Sequence, residues 1–169
     1  VIMSYWNPIE KYGVEKFAAD MAAAGGSGTI TPDLTIEEAG PWVDACSKHS
    51  LNSIFVVAPS SNDERLSKVL KSSSGFVYAA SLMGVTGARA QVSSAAELLV
   101  ERVRKFTELP VSVGLGVSTP EQAADVAKYA NGVIVGSAFI NAVQSAPSFA
   151  EGLKAVEKLA KDLKSGIAR

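Results

Sequence analysis

One cysteine and one histidine are all that the 169 residues hold of those two types. A lone cysteine, Cys46, excludes an internal disulfide framework and fits a reducing cytosol. With only His49 to join it, no metal cluster can be assembled, so no metal site is expected. Charge of either sign is also not in excess: Lys plus Arg number 16, Asp plus Glu 17, and the formal net charge is -1. That balance gives no electrostatic reason to expect a nucleic acid or an anionic membrane as partner. Long apolar runs are missing too, and none approaches the roughly 18 residues of a membrane span. What is present, 47% hydrophobic and 20% charged residues, suits one soluble domain with a sizeable core. The chain opens VIMSYWNP, with no initiator Met and no secretory signal pattern, so it is expected to begin inside a strand with upstream residues missing.

Short β-branched runs alternate with helix-like segments. VIMSY precedes a helix over Val14 to Ala24, GTIT one over Ile36 to Lys48, and SIFVV one over Asp63 to Lys71. FVYAA is followed by a loop and Ala95 to Phe106, PVSVG by Glu121 to Tyr129, and GVIVG by a short helix near Ser137 to Val143 and a longer one over Phe149 to Leu163. The spacing is that of about six βα units. Thr35-x-x-Glu38, Ser61-x-x-Glu64, Ser94-x-x-Glu97, Thr119-x-x-Gln122 and Ser148-x-x-Glu151 all fit the capping box, in which two side chains satisfy otherwise orphaned backbone donors. Pro8 and Pro120 stand at expected first helical positions.

The strands read as nearly continuous apolar runs, as in a parallel sheet covered by helices. Three glycine-rich stretches follow such runs: MGVTGAR from Met83, VGLGVSTPEQ from Val113 and IVGSAF from Ile134. A small anion is well held by backbone N–H groups that approach closely where side chains are absent, with the partial positive charge of a helix N-terminus added. In (β/α)8 barrels such a cradle is built from the last loops and a short extra helix. Six strands do not close this type of barrel, and open edges would leave backbone groups unpaired. The expectation is therefore an α/β fold of the TIM (β/α)8 class with strands three to eight represented, and a single, N-terminally incomplete domain over 1–169.

YWNPIEKYG at Tyr5, TPDLTIEEA at Thr31, FVYAASLMGVTGAR at Phe76, VGLGVSTPEQ at Val113 and GVIVGSAF at Gly132 together resemble the α-subunit of tryptophan synthase, over essentially the whole chain. The resemblance implies a lyase of tryptophan biosynthesis that cleaves indole-3-glycerol phosphate to indole and glyceraldehyde 3-phosphate by a retro-aldol step. It implies an allosteric, cytoplasmic heterotetramer with a β-subunit that carries the pyridoxal phosphate, and no cofactor in this subunit. The family's catalytic Glu and Asp would both precede Val1, so no catalytic residue is expected here and the chain alone is expected to be inactive. Phosphate contacts fall on Gly87, Gly116, Gly136 and Ser137, and the substrate pocket on Met3, Tyr5, Tyr78 and Leu115. Partner-interface or lid residues are Asn7, Pro8, Asp33, Thr35, Gly84 and Thr86, the lid being the loop from Ser81 to Ser94. Leu115 and Leu82 depart from an aromatic and a basic residue found in some members.

Plainer readings stand beside these. Glycines make tight βα turns anywhere, Ser137 can be an N-cap, Asp33 a turn residue, and Tyr5 and Tyr78 core aromatics. His49 suits a helix C-terminus, neither it nor Cys46 has a partner for nucleophilic catalysis, and Trp6 and Trp42 suit packing or an interface. Two further functions remain open: another phosphate-binding barrel such as a sugar-phosphate isomerase or epimerase, and a non-catalytic module that binds a phosphate ester or activates a partner.

Overall fold

The structure, a computed structural model, describes residues 1–80, 89–114 and 116–168, with 89–94 described through the backbone alone. The chain divides into two compact units, one of Val1–Tyr78 with Glu101–Pro110 and one of Ala79–Val100 with Val111–Arg169.

In the first unit, β1 (Ile2–Met3), β2 (Gly28–Ile30) and β3 (Asn52–Ile54) pair in parallel, with Ile2 opposite Thr29 and Thr29 opposite Ser53. Parallel neighbours need crossover segments, supplied here by α1 (Trp6–Tyr12), α2 (Val14–Ala23) and α3 (Gly40–Lys48). The run SIFVV, expected as one strand, divides into β3 and β4 (Val56–Val57) because hydrogen bonding changes edge at Phe55. Ile54 pairs with Ile30, whereas the Phe55 carbonyl accepts the Tyr78 N–H of β5 (Val77–Ala80) at 3.2 Å. Next, α4 (Asp63–Lys71) has the bounds its sequence predicts and buries Leu66, Val69 and Leu70 at helical spacing. Trp42 is fully buried on α3, and its Nε1–H donates to Thr29 Oγ1 at 3.2 Å. Its ring packs edge-on against Trp6 at 5.9 Å and tilted against Phe17 at 6.0 Å. Packing is thus the role of both tryptophans, and truncating Trp42 to Ala would cost about 3–5 kcal/mol.

In this unit two helix starts and one cap differ from expectation. Helix α1, of which the sequence suggests only a first position at Pro8, begins at Trp6, so Pro8 is its third residue rather than its first. That is tolerated because the first N–H groups of a helix lack intrahelical acceptors anyway. Helix α3 starts at Gly40, not Ile36, since Pro41, which has no N–H to give, fits only the first turn. Thr35 instead closes a turn, its hydroxyl donating to the Glu38 carboxylate at 3.1 Å. For α4 the cap is Asn62 rather than Ser61, the Asn62 Oδ1 accepting the Arg65 N–H at 2.8 Å.

The second unit takes α5 (Arg89–Val103) as far as Val100. This helix starts at Arg89 rather than Ala95, which puts Ser94 inside it instead of at its cap. Strands β6 (Val111–Gly114) and β7 (Gly132–Ile134) pair in parallel with Val113 opposite Val133. Asn131 fixes that register from both sides, its Oδ1 accepting the Val111 N–H at 3.0 Å and its own N–H donating to the Val111 carbonyl at 2.8 Å. Three helices follow these strands, α6 (Pro120–Ala127), α7 (Ser137–Gln144) and α8 (Phe149–Gly166). Leu99, Val100, Val113, Val126 and Leu163 form its buried core. The end of α8 lies hard against the start of α6: a Cβ on Gly166 would sit 2.3 Å from the Pro120 carbonyl oxygen.

Candidate functional site

A helix N-terminus can take an anion only if its own side chains have not already used the exposed N–H groups. In the second unit, α6 and α8 use theirs. At α6, Thr119 Oγ1 accepts the Gln122 N–H at 3.3 Å, and Gln122 Oε1 accepts the Thr119 and Ser118 N–H groups at 3.3 and 2.8 Å. The expected capping box is complete. Ser148 caps α8 through the Glu151 N–H at 3.3 Å. Both helices also carry a glutamate in the first turn, Glu121 and Glu151. Glu121 is held below the ordinary carboxylate range by its own backbone N–H and by Thr119.

Helix α7 differs on each count. Its N-cap is Gly136, no side chain caps it, and no acidic residue stands in its first turn. Helical bonding to the Gly136 carbonyl begins with the Phe139 N–H at 3.0 Å, which leaves the Ser137 and Ala138 N–H groups at the open end. Ser137 itself is exposed. Around Gly136 there is space: among the described residues, a Cβ built there meets nothing within 4 Å. Gly116, in the turn after β6, has φ 69, the left-handed backbone that favours glycine. The structure therefore places Gly116 and Gly136 in turns after strands of one unit, and Ser137 at the first position of α7. Gly87 and Leu115, together with Leu82, Gly84 and Thr86, lie outside the described residues.

The remaining candidates sit in the first unit. Met3 and Tyr5 are 57% and 70% exposed, so Tyr5 is not a core aromatic. Tyr78 is half-buried, and that burial pushes its phenol above the ordinary range. Asn7 and Pro8 are exposed in the first turn of α1, and Thr35 is exposed in the turn before α3. Asp33 is already engaged: its Oδ1 and Oδ2 accept the Trp6 N–H at 2.9 and 3.0 Å. Tyr5, the N-cap of α1, offers no side-chain cap, and α1 has no acidic residue in its first turn. Asp33 supplies the missing negative partner from across 27 residues.

Other ionisable groups have structural partners. His49 caps the end of α3, its Nε2 lying 2.9 Å from Glu15 Oε1, which Lys48 also binds. Lys48 and then His49 hold Glu15 below the usual carboxylate range. Cys46 is buried, which pushes its thiol up despite a hydrogen bond from Ser53. Among the described residues no group of His, Cys, Asp and Glu can hold a metal ion, and no helix is long and apolar enough to cross a membrane. A 520 Å³ groove between α3 and α4, lined by Val43, Lys68 and Lys71 among others, contains none of the candidates.

Parallel strands alternating with helices, and glycine turns at their ends, define an α/β protein of the TIM-barrel class. The family model for the tryptophan synthase alpha chain matches residues 1–168. The chain belongs to the tryptophan synthase alpha chain family. It is 56% identical to the alpha chain of Streptomyces coelicolor over 167 residues, 99% of this chain and 62% of that one. To the Acidothermus cellulolyticus alpha chain it is 57% identical, over 100% of this chain and 62% of that one. Among solved structures, aminoacrylate-bound tryptophan synthase from M. tuberculosis superposes with a TM-score of 0.87 at 48% identity, covering 99% of this chain and 61% of that chain. The Pyrococcus furiosus a2b2 complex, described for its mutual activation, gives 0.87 at 33% identity over 97% of this chain and 66% of that one. The chain thus spans about three fifths of the length of the curated relatives it matches.

Proposed function

We propose that the chain is the phosphate-binding part of a lyase that cleaves indole-3-glycerol phosphate to indole and glyceraldehyde 3-phosphate. The observation that carries this reading is the uncapped, unneutralised and sterically open start of α7 at Gly136 and Ser137. Of the starts of α6, α7 and α8, that of α7 keeps backbone donors for an outside anion. The Ser137 hydroxyl and the turn at Gly116 add donors and close approach, with Gly87 assigned to the same cradle. Tyr78, Tyr5, Met3 and Leu115 are assigned to the indole side, and the domain to a single barrel unit.

Retro-aldol cleavage needs two separately tuned proton-transfer groups. Asp33, the carboxylate at a strand end, is occupied by the Trp6 N–H. The reading therefore assigns the acid and base upstream of Val1, and residues 1–169 bind the ester without turning it over. Asn7, Pro8, Thr35, Gly84 and Thr86 are assigned to the face that meets a β-subunit, which carries the pyridoxal phosphate, this subunit needing no cofactor. The assembly is placed in the cytoplasm.

Titration calorimetry with glycerol phosphate tests the cradle. Wild type binds, and Gly136→Asp, which puts a carboxylate at the open helix end, weakens binding by about a hundredfold. Because an added Cβ meets no atom of the described residues within 4 Å, Tm stays within about 2 °C of wild type. Equal binding by the two proteins would remove the assignment.

A further inference from the structure

The loop after β4 is closed on itself. The Ser61 N–H donates to the Ala58 carbonyl at 2.9 Å, and the Ala58 N–H donates to Ser61 Oγ at 3.4 Å. A turn so closed still leaves its other carbonyls facing outward. Two of these, on Pro59 and Ser61, are taken by one side chain from α5, Arg102. Its Nη1 donates to Pro59 O at 3.3 Å and its Nη2 to Ser61 O at 2.6 Å. The same guanidinium reaches Asp63 Oδ1 with Nε at 3.0 Å and Nη2 at 2.7 Å. Asn62, between these acceptors, is the N-cap of α4.

Such a set of acceptors suits arginine and no other residue. Five donors in a rigid plane can meet a carboxylate and two carbonyls at once, whereas an ammonium group on a flexible stem cannot hold all three in fixed directions. Stability is a poor explanation for it. The Arg102 side chain is 30% exposed and Asp63 is 65% exposed, and exposed ion pairs contribute little to folding. What the contact does contribute is geometry, since three acceptors within five residues define the course of the loop.

We propose that Arg102 is a positioning residue that fixes the shape of the Ala58–Asn62 turn on the face where loops following barrel strands carry the chemistry. This rests on the functional reading above, which puts the phosphate cradle in turns that follow strands. Arg102 acts through the turn and touches no reacting atom. Fixed donors and acceptors around a reaction lower its barrier by removing reorganisation, so loosening the turn lowers kcat before it alters binding of a phosphate ester held elsewhere.

The experiment compares wild type with Arg102→Lys, which keeps the charge opposite Asp63 and loses the planar fork. Hydrogen exchange is read at the Ser61 amide, with Val69 and Leu70 of α4 as internal controls. The substitution speeds Ser61 exchange by about tenfold and leaves the α4 amides unchanged. In the complete α chain assembled with its β-subunit, kcat for ester cleavage falls by about fivefold, KM stays within about twofold, and Tm is unchanged. Wild-type exchange at Ser61 in the variant overturns the proposal, as does a kcat loss that follows a fall in Tm. If the wild-type assembly shows no cleavage, the functional reading fails, and Ser61 exchange alone decides whether Arg102 holds the turn.

Discussion

Helices α6 and α7 follow consecutive strands through glycine-bearing turns, yet one N-terminus is closed and the other open. At α6, Thr119 and Gln122 exchange hydrogen bonds, Glu121 adds negative charge, and the end of α8 at Gly166 presses on the Pro120 carbonyl. At α7, among the described residues, there is no side-chain cap, no acid in the first turn and no neighbour against Gly136. The difference is that donors at a helix start stay available where sequence withholds a cap, an acid and a covering neighbour, and the proposed anion site at α7 rests on that omission.

The largest expected effect comes from closing the open end. Gly136→Asp abolishes most glycerol phosphate binding, by about a hundredfold in calorimetry, while Thr119→Ala leaves that affinity within about twofold. Equal losses in both would erase the distinction. Next, Gly166→Ala forces a methyl group onto the Pro120 carbonyl and destabilises the unit by about 2 kcal/mol in urea unfolding. Thr119→Ala removes the cap of α6 and costs about 1 kcal/mol by the same measurement.

The smallest effect concerns Glu121, whose folded pKa is depressed below its ordinary value. The sign is that of a carboxylate favoured in the folded state. Its contribution is present above the unfolded pKa near 4.5 and is lost as pH falls through the lower folded value. Glu121→Gln should therefore lower stability slightly at about pH 7, and the gap should close at about pH 3, as read by urea unfolding. A gap that persists in acid would mean that the carboxylate's charge is irrelevant at α6.

Much of this was legible in the sequence, unevenly and for physical reasons. The α4 bounds and the Thr119 and Ser148 caps follow from local chemistry, since the residues that define them are three positions apart. The same local pattern misplaced the starts of α3 and α5 and the cap of α4. There a proline at position 41, a better-placed Asn62 and helix propagation back to Arg89 outweighed a motif that specifies partners without fixing where the helix begins. Glycine turns pointed to Gly116 and Gly136, because backbone freedom is written in a single residue type. Asp33 at Trp6 and Arg102 at Pro59 had no such signal. Both act across tens of residues, and only the fold brings them together.

The grip of Asp33 on Trp6 also sets an order of events. Helix α1 has 7 residues, too few to persist alone in water, and its cap is encoded 27 residues downstream. On a ribosome adding about 5–20 residues per second, roughly one to five seconds pass between the two. During that interval the YWNP segment has no fixed start to its helix. Its conformation is settled when the next strand's loop arrives, so the first turn is built retroactively by sequence that had yet to be translated.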